Sequence, residues 1–258
     1  MLTHNISPIA LTIGDYQLRW YGLMYLAGFI VGWFIGHYRA KHLDVNFTKT
    51  EVDDLLTICM LSVVIGGRIG YVLFYDPLLY WHDPWEIFKI WNGGMSFHGG
   101  LLGVLAAFAY FAKTRKKTFL EVSDFLAPLV PQAIFFGRIG NFINGELWGK
   151  TTSLPWGMVF PDGGPWPRHP SQLYEALLEG VVLFIILIVY ANKKRKPGAV
   201  SGLFALGYAV FRFAVEFIRV PDPQLGYLAF GWLTMGQVLC LPLFAIGLWL
   251  LLRQPKTS

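Results

Sequence analysis

Long apolar runs separated by short polar stretches set the pattern of this chain. Seven runs reach spanning length, at 20–36, 55–75, 95–112, 125–145, 173–191, 199–218 and 232–252. Each is close to the roughly 20 residues that a helix needs to cross a bilayer. In lipid every backbone N–H and C=O must find an internal partner, so such runs predict helices. Pro128 and Pro131 predict a kink in the fourth, and Pro242 one in the seventh. The polar stretches have their own character. Residues 11–19 predict a small hairpin turning at Gly14-Asp15. Asp83-Pro84-Trp85-Glu86 has the form of a helix start, and the apolar residues after it suit a helix lying in the interface. Residues 151–167, rich in Pro, Gly and Trp, predict a loop.

Composition supports a membrane protein. Of 258 residues, 55% are hydrophobic and 14% charged, against roughly 25% charged in soluble domains. The net charge of +5 does not point to nucleic acid, because the basic residues cluster between apolar runs. Thirteen Lys and Arg fall on one side of the predicted bundle and five on the other, with three inside spans. The basic side faces the cytoplasm. The expectation is therefore an all-α integral membrane protein of seven transmembrane helices, one domain over 1–258, with a periplasmic N-terminus, a small periplasmic head and a cytoplasmic C-terminus. Tryptophans at 81, 85, 91, 148, 156, 166 and 232 fall near the outer boundary, where indole rings favour the headgroup layer. The N-terminus lacks the pattern of a removable signal peptide. Cys59 and Cys240 sit inside apolar runs and read as small apolar residues, not as a disulfide or metal site.

Three arginines stand inside the predicted spans: Arg68, Arg138 and Arg212. Each costs about 2.5–3.5 kcal/mol on insertion scales, so each needs a reason. All three fall roughly 9–11 Å below the outer boundary at about 1.5 Å per residue. Tyr21, His98, Asn141, Asn144 and Glu216 fall in or just above the same layer. Arg212 and Glu216 are i,i+4, and Arg219 follows three residues on. With only one or two acids to pair with, the layer predicts surplus positive charge in a low-dielectric place. A guanidinium fork there suits a phosphate, and access from the outer leaflet makes a phospholipid headgroup the natural candidate. Arg68, flanked by glycines, is the one of the three that best fits a packing role. His98 is equally suited to proton exchange and to a structural hydrogen bond at a helix end. Ser171 is placed to cap a helix after His169. Glu175 and Glu179 read as acids favoured by the helix dipole of the fifth span, with no catalytic duty. Gly67-Arg-Ile-Gly70 recurs as Gly137-Arg-Ile-Gly140, either as a duplication or as close-packing glycines. No metal spacing, phosphate loop, nucleophile elbow or dinucleotide fingerprint is convincing, so no cofactor is expected, and if the chain is an enzyme a substrate brings the attacking group.

The motifs Tyr21-Gly-Leu-Met-Tyr25, Gly66-Gly-Arg-Ile-Gly70, Gly93-Gly-Met-Ser-Phe-His-Gly-Gly100, Gly137-Arg-Ile-Gly-Asn-Phe-Ile-Asn-Gly-Glu-Leu-Trp-Gly149 and Arg168-His-Pro-Ser-Gln-Leu-Tyr174 occur in this order. Together they resemble the bacterial phosphatidylglycerol–prolipoprotein diacylglyceryl transferases, from about residue 8 to the seventh run. The resemblance implies a multi-pass enzyme of the bacterial inner membrane. Such an enzyme moves the diacylglyceryl group of phosphatidylglycerol onto the lipobox cysteine of a preprolipoprotein signal peptide and releases glycerol phosphate. It implies functional roles for His98, Arg138, Arg212 and Tyr21. It also implies lipid-binding roles for Asn141, Glu146, Gly149, Tyr208, Glu216 and Arg219 beside the two arginines, with Arg68 a further candidate. The segment 146–172 is shorter than in some relatives, and Arg19 stands where relatives can carry histidine. Read from the residues alone, two rivals remain: a lipid or anion transporter with an arginine-lined outer-leaflet site, and a non-catalytic membrane scaffold.

Overall fold

The computed structural model describes residues 2–221 and 225–253, apart from the side chain of Asn92. Lys256, counted above toward the basic side, lies outside the described residues. Ten α-helices are present among the described residues: α1 (Trp20–His42), α2 (Lys49–Phe74), α3 (Pro77–His82), α4 (Phe97–Thr114), α5 (Phe119–Leu126), α6 (Val130–Asn144), α7 (Ser171–Glu175), α8 (Leu183–Ala191), α9 (Ala199–Glu216) and α10 (Met235–Leu252). Five helical stretches are long and apolar enough to cross a membrane: Lys49–Phe74, Phe119–Asn144, Ser171–Ala191, Ala199–Glu216 and Met235–Leu252. The two other predicted runs do form helices, α1 and α4, but their Gly, Tyr, Trp and His residues dilute the apolar character that marks the five. The fold is thus mostly helical with five candidate spans, as an all-α membrane protein requires.

The chain divides into two compact units, one of residues 36–123 and one of residues 1–35 and 124–258. In the first, α2 and α4 run antiparallel, and glycines let their backbones touch. A Cβ on Gly66 would meet the carbonyl oxygen of Gly99, and one on Gly70 would sit 2.7 Å from the Gly99 Cα. Here the glycines beside Arg68 do serve close packing. At the other end of this pair, Thr48 and Glu51 form a capping box, and Lys117 pairs with Glu51 at 3.2 Å while lying over the Phe47 ring. The expected interfacial helix is corrected by the structure. Asp83 caps Trp85 as the sequence suggests, but the turn that follows is a short 3₁₀ helix, Pro84–Phe88, and a second, Ile90–Asn92, comes after it. α3 was not anticipated, although Asp76 and Pro77 supply its cap and first residue.

In the second unit, β2 (Ile9–Ile13) and β3 (Tyr16–Arg19) form the predicted hairpin, with Gly14 at φ 58° in its two-residue turn. The fourth run breaks where its prolines predict: α5 ends, a 3₁₀ turn covers Ala127–Leu129, and α6 follows. α10 holds Pro242 inside one unbroken helix. The fifth run is not uniform either, because the turns Ala176–Val182 between α7 and α8 are π-helical. Leu183, Leu187, Ala191, Val200 and Ala127 build a small core between α8, α9 and the 3₁₀ turn. Asp124 accepts hydrogen bonds from the backbone N–H groups of Gly198 and Ser201 at 2.6 and 2.8 Å, satisfying the start of α9 from a distant helix. The segment 151–167 is more ordered than a plain loop. β4 (Met158–Val159) pairs with β1 (Leu2–Thr3), and bridges join Thr151 and Met158 to Arg168. Arg168 lies over the Trp148 ring at 4.0 Å and donates from Nε to the Gly163 carbonyl at 2.6 Å.

The paired glycine motifs give a direct test. Gly99→Ala would push a methyl into the backbone of α2 and should cost about 1–3 kcal/mol. Gly137→Ala would meet no atom within 4 Å, so it should be neutral or stabilising by up to about 1 kcal/mol. Thermal unfolding in detergent checks the pair, and equal destabilisation would contradict the packing account.

Candidate functional site

A lattice of charged side chains lies within the second unit. α6 supplies Arg138, α7 supplies Glu175, the π-helical turns supply Glu179, α9 supplies Arg212 and Glu216, and the segment after α9 supplies Arg219. Glu175 and Glu179 are fully buried, and Glu216 and Arg219 nearly so. Glu175 is the hub. One carboxylate oxygen pairs with Arg212 in a short contact and with Arg219 at 2.9 Å, and the other faces Nε of Arg138 at 3.2 Å. Glu216 pairs with Arg212 at 2.8 Å and approaches Arg219 at 4.0 Å. Thr234 at the start of α10 donates its hydroxyl to Glu216 at 3.0 Å. The Glu216 carboxylate also packs on Gly236, where a Cβ would lie 2.8 Å away.

Three expectations change here. The predicted surplus of positive charge is not present, since three guanidiniums meet three carboxylates. Glu175 and Glu179, read from the sequence as dipole-favoured acids, are buried partners of the arginines. The i,i+4 spacing of the two acids was the signal, because it sets both on the face that α6 and α9 share. Ser171 does not cap its helix either. It is the first helical residue, and its hydroxyl donates to the Leu147 carbonyl at 2.8 Å.

The lattice is not wholly enclosed. Arg138 and Arg212 keep 18% and 14% of their side-chain surface exposed, while Glu175 and Glu179 behind them keep none. Arg138 contacts its acids only as ion pairs, at 3.2 and 3.6 Å. Neither Glu179 oxygen accepts a hydrogen bond among the described residues, nor does the Glu175 oxygen facing Arg138. Among the described residues these ion pairs hold Arg138 through Nε and one terminal nitrogen, and the other terminal nitrogen enters no ion pair. That is the condition for gripping an incoming anion.

The remaining expected residues of this unit lie around α6 and the turn after it. Asn141 and Asn144 donate to the Glu146 carboxylate at 2.8 and 3.2 Å. Gly145 ends α6 in the left-handed region at φ 70°. Gln172 donates to the Glu146 carbonyl. Gly149 donates its N–H to the His169 carbonyl at 2.8 Å and bridges to Arg219. A side chain there would strike His169 and the Ile218 carbonyl. Gly149 therefore locks the head strand onto the segment bearing Arg219. Tyr21 packs against Gly140 and shares a hydroxyl contact with Tyr25 at 3.2 Å. Tyr208 lies within electrostatic reach of Arg138, Arg212 and Glu179. Outside the spans, partial burial lowers the His169 imidazole below its ordinary range.

Arg68 and His98 belong to the other unit. The Arg68 guanidinium donates to the carbonyls of Ile87, Gly93, Gly94 and Glu86 and lies over Tyr80. Its donors hold the outer segment together, as the packing reading of this arginine expected. His98 opens α4 with an exposed imidazole edge-on to Phe97. Among the described residues no group of His, Cys, Asp and Glu could hold a metal ion.

Five candidate spans and, within the second unit, a buried arginine–glutamate lattice mark a helical membrane protein. The sequence profile of the prolipoprotein diacylglyceryl transferases matches residues 8–253. The chain is 65% identical over 252 residues to the phosphatidylglycerol–prolipoprotein diacylglyceryl transferase of Nitratidesulfovibrio vulgaris strain DP4, covering 97% of this chain and 96% of that one. It is 58% identical to the enzyme of the same name from Solidesulfovibrio magneticus, over 98% and 97% of the two chains. For that of Legionella pneumophila strain Lens the identity is 56%, over 97% and 98%. The chain belongs to the prolipoprotein diacylglyceryl transferase family.

Removing the hub charge tests the lattice. Glu175→Gln would leave buried guanidiniums uncompensated and should cost about 3–5 kcal/mol. Arg68→Lys should leave the lattice intact, because its partners are backbone carbonyls of the other unit. Urea or thermal unfolding in detergent distinguishes the two.

Proposed function

We propose that this transferase moves the diacylglyceryl group from phosphatidylglycerol to the thiol of the lipobox cysteine in a preprolipoprotein. In the reaction a thiolate attacks the glyceryl carbon, a C–S bond forms and the C–O bond to phosphate breaks. The product is a thioether, and glycerol phosphate carries away the bonding electrons. Family membership supports this reading over a transporter or a scaffold. The observation that carries it in the molecule is the Arg138 guanidinium, braced by buried carboxylates through Nε and one terminal nitrogen while its side chain stays 18% exposed.

In this reading Arg138 and Arg212 hold the phosphate and offset the charge growing on the leaving oxygen. Glu216 orients Arg212 and is itself tied to α10 through Thr234. Arg219 and Gly149 fix the outer edge of the site. Asn141 and Glu146, joined by their hydrogen bond, together with Tyr21 and Tyr208, line the headgroup position. His98 is assigned the proton of the thiol, whose ordinary value of about 8.5 leaves it mostly protonated near neutrality. Arg68 is left with its packing role. The partners are phosphatidylglycerol and the signal peptide that bears the lipobox. Seven helices cross the bacterial inner membrane, counting α1 and α4. The N-terminus and head are periplasmic and the C-terminus cytoplasmic, as the distribution of Lys and Arg supports.

Mass spectrometry of a lipobox peptide incubated with the purified protein and phosphatidylglycerol should show a diacylglyceryl mass shift. No shift from an intact, folded preparation would contradict the assignment. Arg138→Lys keeps the charge but loses the fork, so kcat/KM should fall by at least about 100-fold. Near-normal turnover in that variant would remove the forked-phosphate role. His98→Gln with near-normal turnover at neutral pH would remove the base.

A further inference from the structure

The charge balance of the lattice raises a problem that the transfer chemistry alone does not answer. Arg138, Arg212 and Arg219 are formally cancelled by Glu175, Glu179 and Glu216. A phosphodiester carries one negative charge throughout the neutral range. Adding it to a neutral cluster in apolar surroundings leaves a buried net charge, which is costly. Either the ligand is rejected or one carboxylate takes up a proton.

The geometry separates the three acids. Glu175 is held by three guanidiniums. Glu216 has Arg212 at 2.8 Å and the Thr234 hydroxyl at 3.0 Å. Glu179 is fully buried, and among the described residues neither of its oxygens accepts a hydrogen bond. Its one ion pair is with Arg138 at 3.6 Å, the guanidinium best placed to turn toward a ligand. It sits on the π-helical turns, a distortion often found at working sites. The groups that face it are Arg138 from α6, Glu175 from the turn before, Tyr208 and Arg212 from α9, Arg219 beyond α9 and Cys240 from α10. When a phosphate claims Arg138, Glu179 loses its counter-ion and keeps Glu175 as a like-charged neighbour.

We propose that Glu179 is the charge-balancing acid of the site: it is the counter-ion of Arg138 in the resting protein and takes a proton from water when the phosphodiester of phosphatidylglycerol binds. This rests on the reading of the lattice as the phosphate site. Nothing is oxidised or reduced. One proton enters with each lipid headgroup, and the lattice with its ligand stays neutral.

Calorimetric titration of the full-length protein in detergent with phosphatidylglycerol, in two buffers of different ionisation enthalpy, measures the proton. Near neutral pH the wild type should take up close to one proton per lipid bound. Its affinity should fall by close to tenfold per pH unit on the alkaline side. Glu179→Gln, neutral and of the same shape, should bind with no uptake and with affinity flat across that range, once its thermal unfolding is matched to wild type. Zero uptake by the wild type, or undiminished uptake by Glu179→Gln, would overturn the proposal, and the first of these needs no variant. Uptake without diacylglyceryl transfer to peptide would instead remove the functional assignment and leave the proton linkage standing. Absence of any phosphatidylglycerol binding would overturn both.

Discussion

One buried carboxylate holds the site of this protein together. Glu175 has no exposed surface and is shared by Arg138, Arg212 and Arg219, which come from two helices and the segment beyond one of them. A guanidinium alone in a membrane interior would be expelled or would snorkel to the interface. Tied to a common anion, Arg138 and Arg212 are held on their helices, with Arg219 joined to the same carboxylate from the segment beyond α9. The rest of the unit serves that arrangement. Gly180 packs directly on Phe135 and brings the acid-bearing turns against α6, and Gly236 makes space for the Glu216 carboxylate at the start of α10. Gly149 locks the head to the segment of Arg219.

The arrangement explains how an ionic cluster can be stable and yet reactive. Paired charges at 3.2 and 3.6 Å hold Arg138, so on the proposed reading a bound phosphate would exchange one anion for another and desolvate no new cation. Arg212 differs, with both ends of its fork engaged by Glu175 and Glu216. The two arginines are therefore held unequally: Arg212 by a carboxylate at each end of its fork, Arg138 by longer ion pairs.

Much of this was legible in the amino-acid order, because lipid leaves few alternatives. Long apolar runs must be helices, so all seven positions proved helical, and Pro128 and Pro131 marked the break in the fourth. Gly14-Asp15 identified its hairpin through the positive φ that the turn demands. The acids were harder. Glu175 and Glu179 stand near a helix start, where dipole stabilisation is an adequate local reason, and only the packing of α6 and α9 shows a stronger one. The π-helical turns have no local signature. The strand pairing of β1 with β4 joins residues over 150 positions apart, beyond the reach of any periodic pattern. Arg68 looked like Arg138 in sequence, within the same Gly-Arg-Ile-Gly frame, yet its donors go to backbone carbonyls. The difference lies in what each arginine finds facing it: loop carbonyls for one, carboxylates for the other.

The central claim is that the braced guanidiniums of Arg138 and Arg212, and not Arg68 on α2, receive the lipid phosphate. An experimental structure of the protein with phosphatidylglycerol bound tests this most directly. The account predicts non-bridging phosphate oxygens within about 2.7–3.2 Å of both the Arg138 and Arg212 guanidiniums, with Glu175 still linking the arginines behind them. A headgroup lodged elsewhere, with Arg138 and Arg212 contacting only their glutamates, would contradict it.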